Sequence, residues 1–278
     1  MLLAASALLL GIPAAATASA ASATTGTGWI RLAHLSPNTP AVDVYLYSFG
    51  NSNAEIVLHH VAYGTVSPYE EVTAGDYSVA MRAAGASPSS QPVLSASVTV
   101  KAGHAYTVAG MGPESGLRLQ VLDDQLTTPT GKFLVRVIQA SLKQQTVKVT
   151  CGGQTIVPKS TFASVSSYQA IPAGTWTMAA ISGGGTASQR ISWAAGTVHT
   201  LVVLDGANGL EMISLEDAAG AGKPPVGSVT TGFGGTAAHG PGSPLPWAAL
   251  IGVGSLLALA GGLRLRGNGL RRQLRSGV

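Results

Sequence analysis

The sequence predicts an all-β protein with two tandem immunoglobulin-like antiparallel β-sandwich domains and one C-terminal transmembrane helix. Three observations carry this prediction. Apolar residues alternate with polar ones in many short stretches between residues 29 and 218. The same region repeats itself, and the chain ends in an uncharged apolar run followed by arginines. Period-two alternation between turn-forming residues is typical of strands with one buried face.

The N-terminal residues 1–23 are predicted to be a secretory signal peptide. The segment Met1–Ile12 is almost purely apolar, and small residues follow it. Cleavage is expected after Ala20 or Ala23, because both end a small-x-small pattern. The basic residues that usually precede the apolar core are absent, which is atypical of a signal. A buried N-terminal helix is the alternative.

An internal repeat divides the region that follows into copy one, residues 29–124, and copy two, residues 131–218. Matching residues lie 105 positions apart at the start of the copies, then 99, then 93. The two changes of spacing fall in Gly-, Ser-, Asn- and Pro-rich sequence, as expected for surface loops. Matched pairs include Arg31/Arg136, Ser36/Ser141, Val66/Val165, Tyr69/Tyr168, Gly75/Gly174 and Thr107/Thr200.

Both copies are predicted to consist of strands. In copy one Val42, Val44 and Leu46 alternate with Asp43, Tyr45 and Tyr47, and in copy two Val147, Val149 and Cys151 are in phase. About seven short strands in a copy of this length favour an immunoglobulin-like sandwich, although the antibody-type Cys…Trp…Cys arrangement is absent. Cys151, the only cysteine, is expected in the core, with an intermolecular disulfide as the alternative.

The C-terminal part is predicted to anchor the protein. Residues 219–244 are a Gly-, Pro-, Ser- and Thr-rich linker. Residues 245–263 carry no charge and are long enough to span a bilayer, with Trp247 at the outer interface. The tail, residues 264–278, contains arginines that keep it in the cytoplasm and leave the N-terminus outside. These basic anchor residues are Arg264, Arg266, Arg271 and Arg272, with Arg275 beyond them.

The basic tail also explains the net charge. The whole chain carries a formal charge of +4. Between Thr24 and Pro244, however, 11 Lys and Arg residues face 12 Asp and Glu residues, which gives −1. A basic nucleic-acid-binding surface is therefore not expected. The expected partners are the lipid bilayer, through the C-terminal helix, and an envelope glycan or a surface protein.

Several stretches of copy one follow one another in a characteristic order: Ile30–Pro37, Pro40–Tyr45, Val61–Ser67 with Tyr69, and Ala74–Tyr77. In these residues copy one resembles the domain of unknown function 4397 family of exported bacterial proteins. The resemblance implies a secreted or surface-attached β-rich domain and supplies no catalytic residues. Copy two is a diverged member by the same comparison, since Gln139 replaces His34 and Leu142 replaces Pro37.

No catalytic, cofactor or metal site is predicted. His34, Ser36 and Asp43 are the residue types of a hydrolytic triad, but no nucleophile elbow accompanies them. His59 and His60 are adjacent, and adjacent residues on a strand point to opposite faces, so they should not share a metal ion. Calcium at the acidic ends of the copies is possible in principle, but solvated carboxylates are expected there: Asp123 and Asp124 in copy one, Glu216 and Asp217 in copy two.

Tyr45, Tyr47 and Tyr69 are the candidate ligand-binding residues. Tyr45 and Tyr47 have the parity opposite to Val42 and Val44, so they are expected on an outer face. Exposed aromatic rings stack on sugars or anchor a protein partner. Packing against a neighbouring repeat or loop is the alternative.

These features together predict a non-enzymatic, membrane-anchored extracellular protein of the bacterial cell envelope that acts in binding, adhesion or scaffolding. The alternative is a cell-wall or carbohydrate-binding module with the tyrosines as its platform. A third and weaker hypothesis is an unrecognised hydrolase.

Overall fold

The computed structural model describes residues 26–207 and 209–220, together with Pro225 and the strand at 229–231. All of these lie within one compact unit, Met1–Phe233. The predicted signal peptide, the transmembrane segment with Trp247, and the arginine-rich tail fall outside the described residues. Among the residues described, no helix is long and apolar enough to cross a membrane.

The described part of copy one forms two four-stranded sheets. One sheet has the strand order β4-β1-β7-β8 and the other has the order β3-β2-β5-β6. A short 3-10 turn, Glu114–Gly116, precedes the last strand. The strands are β1 Thr27–Leu35, β2 Val42–Ser48, β3 Ile56–Val61, β4 Glu70–Thr73, β5 Gly75–Ala83, β6 Leu94–Val100, β7 Ala105–Met111 and β8 Arg118–Asp124.

Copy two repeats this plan. One sheet has the order β12-β9-β16-β17-β18, with β13 also paired to β9, and the other has the order β11-β10-β14-β15. The strands are β9 Lys132–Gln139, β10 Thr146–Cys151, β11 Gln154–Thr161, β12 Ser164–Val165, β13 Gln169–Pro172, β14 Gly174–Ser182, β15 Gly185–Trp193, β16 Val198–Gly206, β17 Gly209–Ala218 and β18 Val229–Thr231.

The all-β prediction is confirmed, and most strand pairs are antiparallel. Two pairs are parallel: β1 with β7 in copy one, and β9 with β16 in copy two. The physical reason is the path of the chain. After β1 it alternates between the two sheets, with β4 as a short edge strand of the first sheet, and it returns beside β1 as β7 in the original direction. The same crossover occurs in both copies, so the repeat is structural as well as sequential.

The two copies contact each other through the sheets that contain β1 and β9, which are called the inner sheets; the others are the outer sheets. Each copy has its own apolar core between its two sheets. A third apolar cluster joins residues of both copies, among them Leu35 and Met111 from copy one and Ile138 and Leu204 from copy two. The inner sheets therefore pack face to face.

This packing explains which strands the alternation of polar and apolar residues fails to predict. Strands β1, β7, β9 and β16 are buried on both faces, so almost every residue in them is buried. A strand covered on both sides has no polar face and shows no period of two. The prediction for Cys151 is confirmed, since it is a free, buried side chain of the copy-two core.

Candidate functional site

Six polar side chains form a closed ring between the inner sheets, called the interdomain ring. Every member is at most 3% exposed. Two arginines, two aspartates and two threonines give the ring no net formal charge. The members are Arg31, Thr107 and Asp124 from copy one, and Arg136, Thr200 and Asp217 from copy two.

Each arginine bridges from its own copy to the other. Arg31 donates from Nε to Thr107 Oγ1 at 2.7 Å and from Nη2 to Asp217 Oδ1 at 2.6 Å. Arg136 donates in the same way to Thr200 Oγ1, at 2.9 Å, and to Asp124 Oδ1. The two ion pairs are exchanged between the copies, which is the reciprocity of a twofold interface.

The threonines close the ring, and two tyrosines cap it. Thr107 donates to Asp124 at 2.6 Å, and Thr200 donates to Asp217 at 2.6 Å. Tyr69 and Tyr168 donate their phenolic hydrogens to Asp124 and Asp217, respectively. The guanidinium carbons of Arg31 and Arg136 lie 4.5 Å and 4.9 Å from the ring centroids of Tyr69 and Tyr168. Both aspartates thus accept hydrogen bonds from three side chains.

The ring holds its arginines charged and its tyrosines neutral. Burial alone would lower the pKa of Arg31, but the charge of Asp217 raises that pKa above its ordinary value overall. The pKa of Arg136 is raised in the same way against the effect of burial, chiefly by Asp124. Burial raises the pKa of Tyr69 well above its ordinary value, so its hydroxyl stays protonated and donates. A buried pair is stabilising only when its remaining hydrogen-bonding capacity is satisfied. Of the buried polar side-chain atoms of the interdomain ring, Arg31 Nη1 alone has no hydrogen-bond partner among the described residues.

The interdomain ring contradicts the prediction of solvated carboxylates at Asp124 and Asp217, and it shows where the candidate ligand residue Tyr69 lies. Asp124 and Asp217, expected to be solvated at the ends of the copies, are 3% and 0% exposed because the inner sheets cover them. In the described part of the chain no group of three or more His, Cys, Asp or Glu side chains is arranged to hold a metal ion. Tyr69 lies against Arg31 and Asp124, so its hydroxyl is engaged within the fold.

Tyr45 and Tyr47 lie on the face of the outer sheet that points away from the copy-one core. Their rings stack with centroids 6.1 Å apart. Tyr45 is nevertheless only 3% exposed, because His59 meets it edge-on and the Arg82 guanidinium lies 5.4 Å from its centroid. Tyr47 is half-buried. The expected open aromatic platform is therefore largely covered by neighbouring side chains, which sequence parity does not reveal.

The candidate triad residues His34, Ser36 and Asp43 do not converge. Ser36 Oγ bonds to Thr39 and to the carbonyl of Gly112. His34 bonds only to the backbone, while Asp43 accepts hydrogen bonds from the backbone N–H groups of His60 and Gly85. His34 faces the interior of the sandwich, and Asp43 lies beside Tyr45 on the other side of the outer sheet.

The two histidines of the β3 strand approach one carboxylate, which corrects the expectation that they point apart. The pairing of β2 with β3 shifts register at this point, and His60 has a positive φ of 54°. This irregularity turns both rings toward Asp43. His59 Nδ1 lies 3.4 Å from Asp43 Oδ2, and His60 Nδ1 lies 4.0 Å from Oδ1. Hydrogen bonds to Asp43 from His60, Gly85 and His59 lower the pKa of this carboxyl, against the opposing effect of burial.

His34 and Gln139 occupy matching positions of the two copies and make equivalent hydrogen bonds to the backbone. The Ser36 N–H donates to His34 Nδ1, and His34 Nε2 lies 3.2 Å from the Pro40 carbonyl. The Ser141 N–H donates to Gln139 Oε1, and Gln139 Nε2 donates to the Gln144 carbonyl. An amide and a neutral imidazole with hydrogen on Nε2 each offer one acceptor and one donor. Burial lowers the pKa of His34, which favours that neutral form.

We expect His34→Gln to be tolerated, with a change in unfolding free energy below about 1 kcal/mol, because copy two uses glutamine in the same place. His34→Ala should cost about 1–3 kcal/mol, since it leaves the Ser36 N–H and the Pro40 carbonyl without this partner. Urea unfolding followed by tryptophan fluorescence measures both. Equal losses for the two variants would contradict the assigned hydrogen-bonding role.

A cleft of about 350 Å³ lies in copy two, between β15 of the outer sheet and β17 of the inner sheet. We call it the copy-two cleft. The outer sheet contributes Gln189 and Arg190 to its lining, and the inner sheet contributes Ser214 and Glu216. The remaining lining residues are Ile191, Ser192, Trp193, Ala194, Thr197 and His199.

The aromatic residues of the copy-two cleft are held rigidly. Trp193 stacks on His199 with centroids 3.9 Å apart and an interplanar angle of 7°, and it meets Phe133 edge-on. His199 Nε2 also lies 2.8 Å from Thr197 Oγ1. Burial lowers the pKa of His199 to about 4, against the charge of Asp217 and a hydrogen bond to the backbone of Leu215. The imidazole is thus neutral at physiological pH.

Copy one carries different residues at the matching positions. Ala96, Ser97 and Val100 stand where Gln189, Arg190 and Trp193 stand in copy two, all 93 positions earlier. The other counterparts are Tyr106 for His199 and Asp123 for Glu216. The sequence signal for this cleft was therefore the difference between the two copies. The repeat continues through these positions at a constant spacing, but the types of side chain at the lining positions differ.

Comparison with known proteins assigns a family. A family model described as a domain of unknown function (DUF4397) matches residues 28–150 and again residues 133–230. The first match covers copy one and extends into copy two, and the second lies on copy two, so the two matches overlap at residues 133–150. No curated protein matches the chain.

Two solved structures show local similarity. One is a leucine-rich repeat protein from Bacteroides thetaiotaomicron, with 14% identity over 62% of this chain and a TM-score of 0.20. The chain spans only 24% of that protein's length. The other is a fimbrial assembly protein from Parabacteroides distasonis, with 10% identity, a TM-score of 0.20, and coverage of 69% of this chain and 96% of that one.

Proposed function

The chain belongs to the DUF4397 family in two tandem copies, and we propose that it is a membrane-anchored, non-enzymatic binding or scaffolding protein of the bacterial cell envelope. The observation that carries the proposal is the interdomain ring. It fixes one copy against the other through two exchanged ion pairs, both largely withdrawn from solvent. A rigid pair of domains presents its outer surfaces in a defined geometry, as binding and scaffolding require.

Several features support the parts of this proposal. The apolar residues 1–23 and 245–263, and the arginines after them, favour export and anchoring with the C-terminus inside. The separation of His34, Ser36 and Asp43 favours a non-enzymatic role. An immunoglobulin-like class for each sandwich belongs to the same proposal, supported by two packed sheets of short strands per copy.

Export and anchoring are tested with the full-length protein in a bacterial host. We expect it in the membrane fraction, with the repeats digested by protease added to intact cells and a C-terminal tag protected. A variant truncated before Leu245 should be released into the medium. Protection of the repeats in intact cells would contradict the proposed topology.

Binding is tested by crosslinking on intact cells, followed by purification of the tagged protein. We expect specific envelope components to be recovered, and the set should be unchanged by His34→Gln, which preserves the fold. The absence of any crosslinked species above that of an unrelated anchored domain would contradict a binding role.

A further inference from the structure

We propose that the copy-two cleft binds a neutral carbohydrate, of one or two sugar rings. This inference rests on the proposed binding role and gives it a site and a ligand class. The tyrosine platform predicted from the sequence lies elsewhere, on the outer sheet of copy one. The argument for the cleft uses its size, its unpaired hydrogen-bonding group, its aromatic wall and its charge.

The cleft has the size of a small-ligand site. Its volume of about 350 Å³ lies near the lower end of the range of ligand pockets, about 300–1,000 Å³. It is lined by β15, the edge strand of the outer sheet, and by β17 of the inner sheet, which pairs with β18. Because β15 is the edge strand of its sheet, a compact ring can enter along it without separation of the sheets.

The cleft contains a buried acceptor that needs a donor. Gln189 Oε1 is shielded from solvent, and it has no hydrogen-bond partner among the described residues. Leaving such a group unpaired is unfavourable, because it has given up its water without gaining a donor. Nearby, the exposed Arg190 guanidinium is a donor, and the Ser214 hydroxyl both donates and accepts. A sugar hydroxyl also both donates and accepts, so several hydroxyls on one ring match this set.

The cleft also has an aromatic wall with a fixed orientation. Trp193 is half-buried, and the contacts with His199 and Phe133 fix its indole ring. An indole offers a large apolar surface at low conformational-entropy cost. The C–H face of a pyranose is the apolar part of an otherwise polar molecule, and it complements such a wall.

The charge of the lining favours a neutral ligand. Arg190 contributes one positive charge and Glu216 one negative charge, and the remaining lining residues are uncharged when His199 is neutral. These two charges offset each other, so the lining as a whole offers no net attraction to an anion or to a cation. A neutral sugar needs no such attraction, and its hydroxyl groups accept the hydrogen bonds that the Arg190 guanidinium donates.

The test is calorimetric titration of the full-length protein, in a detergent that lacks a sugar headgroup, with maltose, cellobiose, lactose and di-N-acetylchitobiose. We expect at least one of these sugars to bind. Gln189→Leu and Arg190→Ala should each weaken that binding about tenfold, the value of one lost hydrogen bond to a charged or buried group. Lys159→Ala, an exposed substitution on β11 at the opposite edge of the same sheet, should leave it unchanged.

Two outcomes would overturn the inference. One is the absence of binding for all four sugars, and the other is sugar binding that the two cleft variants leave intact while their urea midpoints match the wild type. Either result can coexist with envelope components captured by crosslinking, in which case the binding role stands and its site lies elsewhere. If crosslinking also fails, the proposed function falls with the cleft.

Discussion

Asp217→Asn is expected to lower the free energy of unfolding by about 3–5 kcal/mol, the cost of leaving a buried charge without its partner. In this variant the Arg31 guanidinium keeps its charge between the inner sheets but loses the carboxylate 2.6 Å away. The hydrogen bonds from Thr200 and Tyr168 to the same side chain are weakened as well. Chemical unfolding of the full-length protein measures the loss.

The chain offers a counterpart and a control for this experiment. Asp124→Asn removes the other exchanged ion pair and should cost a similar amount. Asp123→Asn, one residue away with a side chain 65% exposed, should cost less than about 0.5 kcal/mol. If Asp217→Asn costs no more than Asp123→Asn, the interdomain ring does not stabilise the fold.

Acid should destabilise the protein through His199 by up to about 3 kcal/mol. The pKa of this imidazole is about 4 in the folded protein, against 6.5 as its ordinary value. Between these two pH values the unfolded chain binds a proton that the folded protein does not, so the free energy of unfolding falls as the pH falls. The contribution is fully present above pH ~6.5 and fully lost below pH ~4, at about 1.4 kcal/mol per pKa unit.

A non-titrating side chain at this position isolates the effect. His199→Gln should be less stable than the wild type at pH 7.5, because the contact with Trp193 is lost, and the difference should shrink steadily toward pH 4.5. His199→Tyr, which installs the residue that copy one has at position 106, should follow the same trend. Unfolding curves across this pH range measure it. Parallel losses for wild type and variants on acidification would contradict the assignment to His199.

The all-β class could be predicted from the sequence, because the exposed faces of strands carry polar residues. Surface loops could be located as well, because the spacing between the repeated residues changes in them. The same reasoning does not predict strands β1, β7, β9 and β16, because the contact between the copies leaves them without a polar face. The same contact explains the error at Asp124 and Asp217. Both residues lie near the end of a copy, where the sequence suggests solvated carboxylates, but the contact between the inner sheets buries them.

The candidate sites, too, could be predicted from the sequence only in part. The match between Arg31 and Arg136, and between Tyr69 and Tyr168, was visible as repeat identity. The aspartates that pair with the two arginines, however, lie in the opposite copy, 186 residues away along the chain in the case of Arg31 and Asp217. The sequence did not predict a catalytic role for His34, but its hydrogen-bonding equivalence with Gln139 becomes visible only in the geometry of the turn. The copy-two cleft depends on two strands of different sheets, β15 and β17, whose proximity is a property of tertiary packing.

The exchange of ion pairs within one chain determines how the contact between the copies responds to dilution. Two separate domains with this reciprocal contact would form a twofold homodimer, and dilution would dissociate it. Here a joint of a few residues, from Asp124 to Gly131, connects the last strand of copy one to the first of copy two. Such a tether keeps the effective concentration of each inner sheet for the other high, about millimolar for a short flexible linker. The paired state therefore persists for a single molecule, however sparsely the protein is distributed.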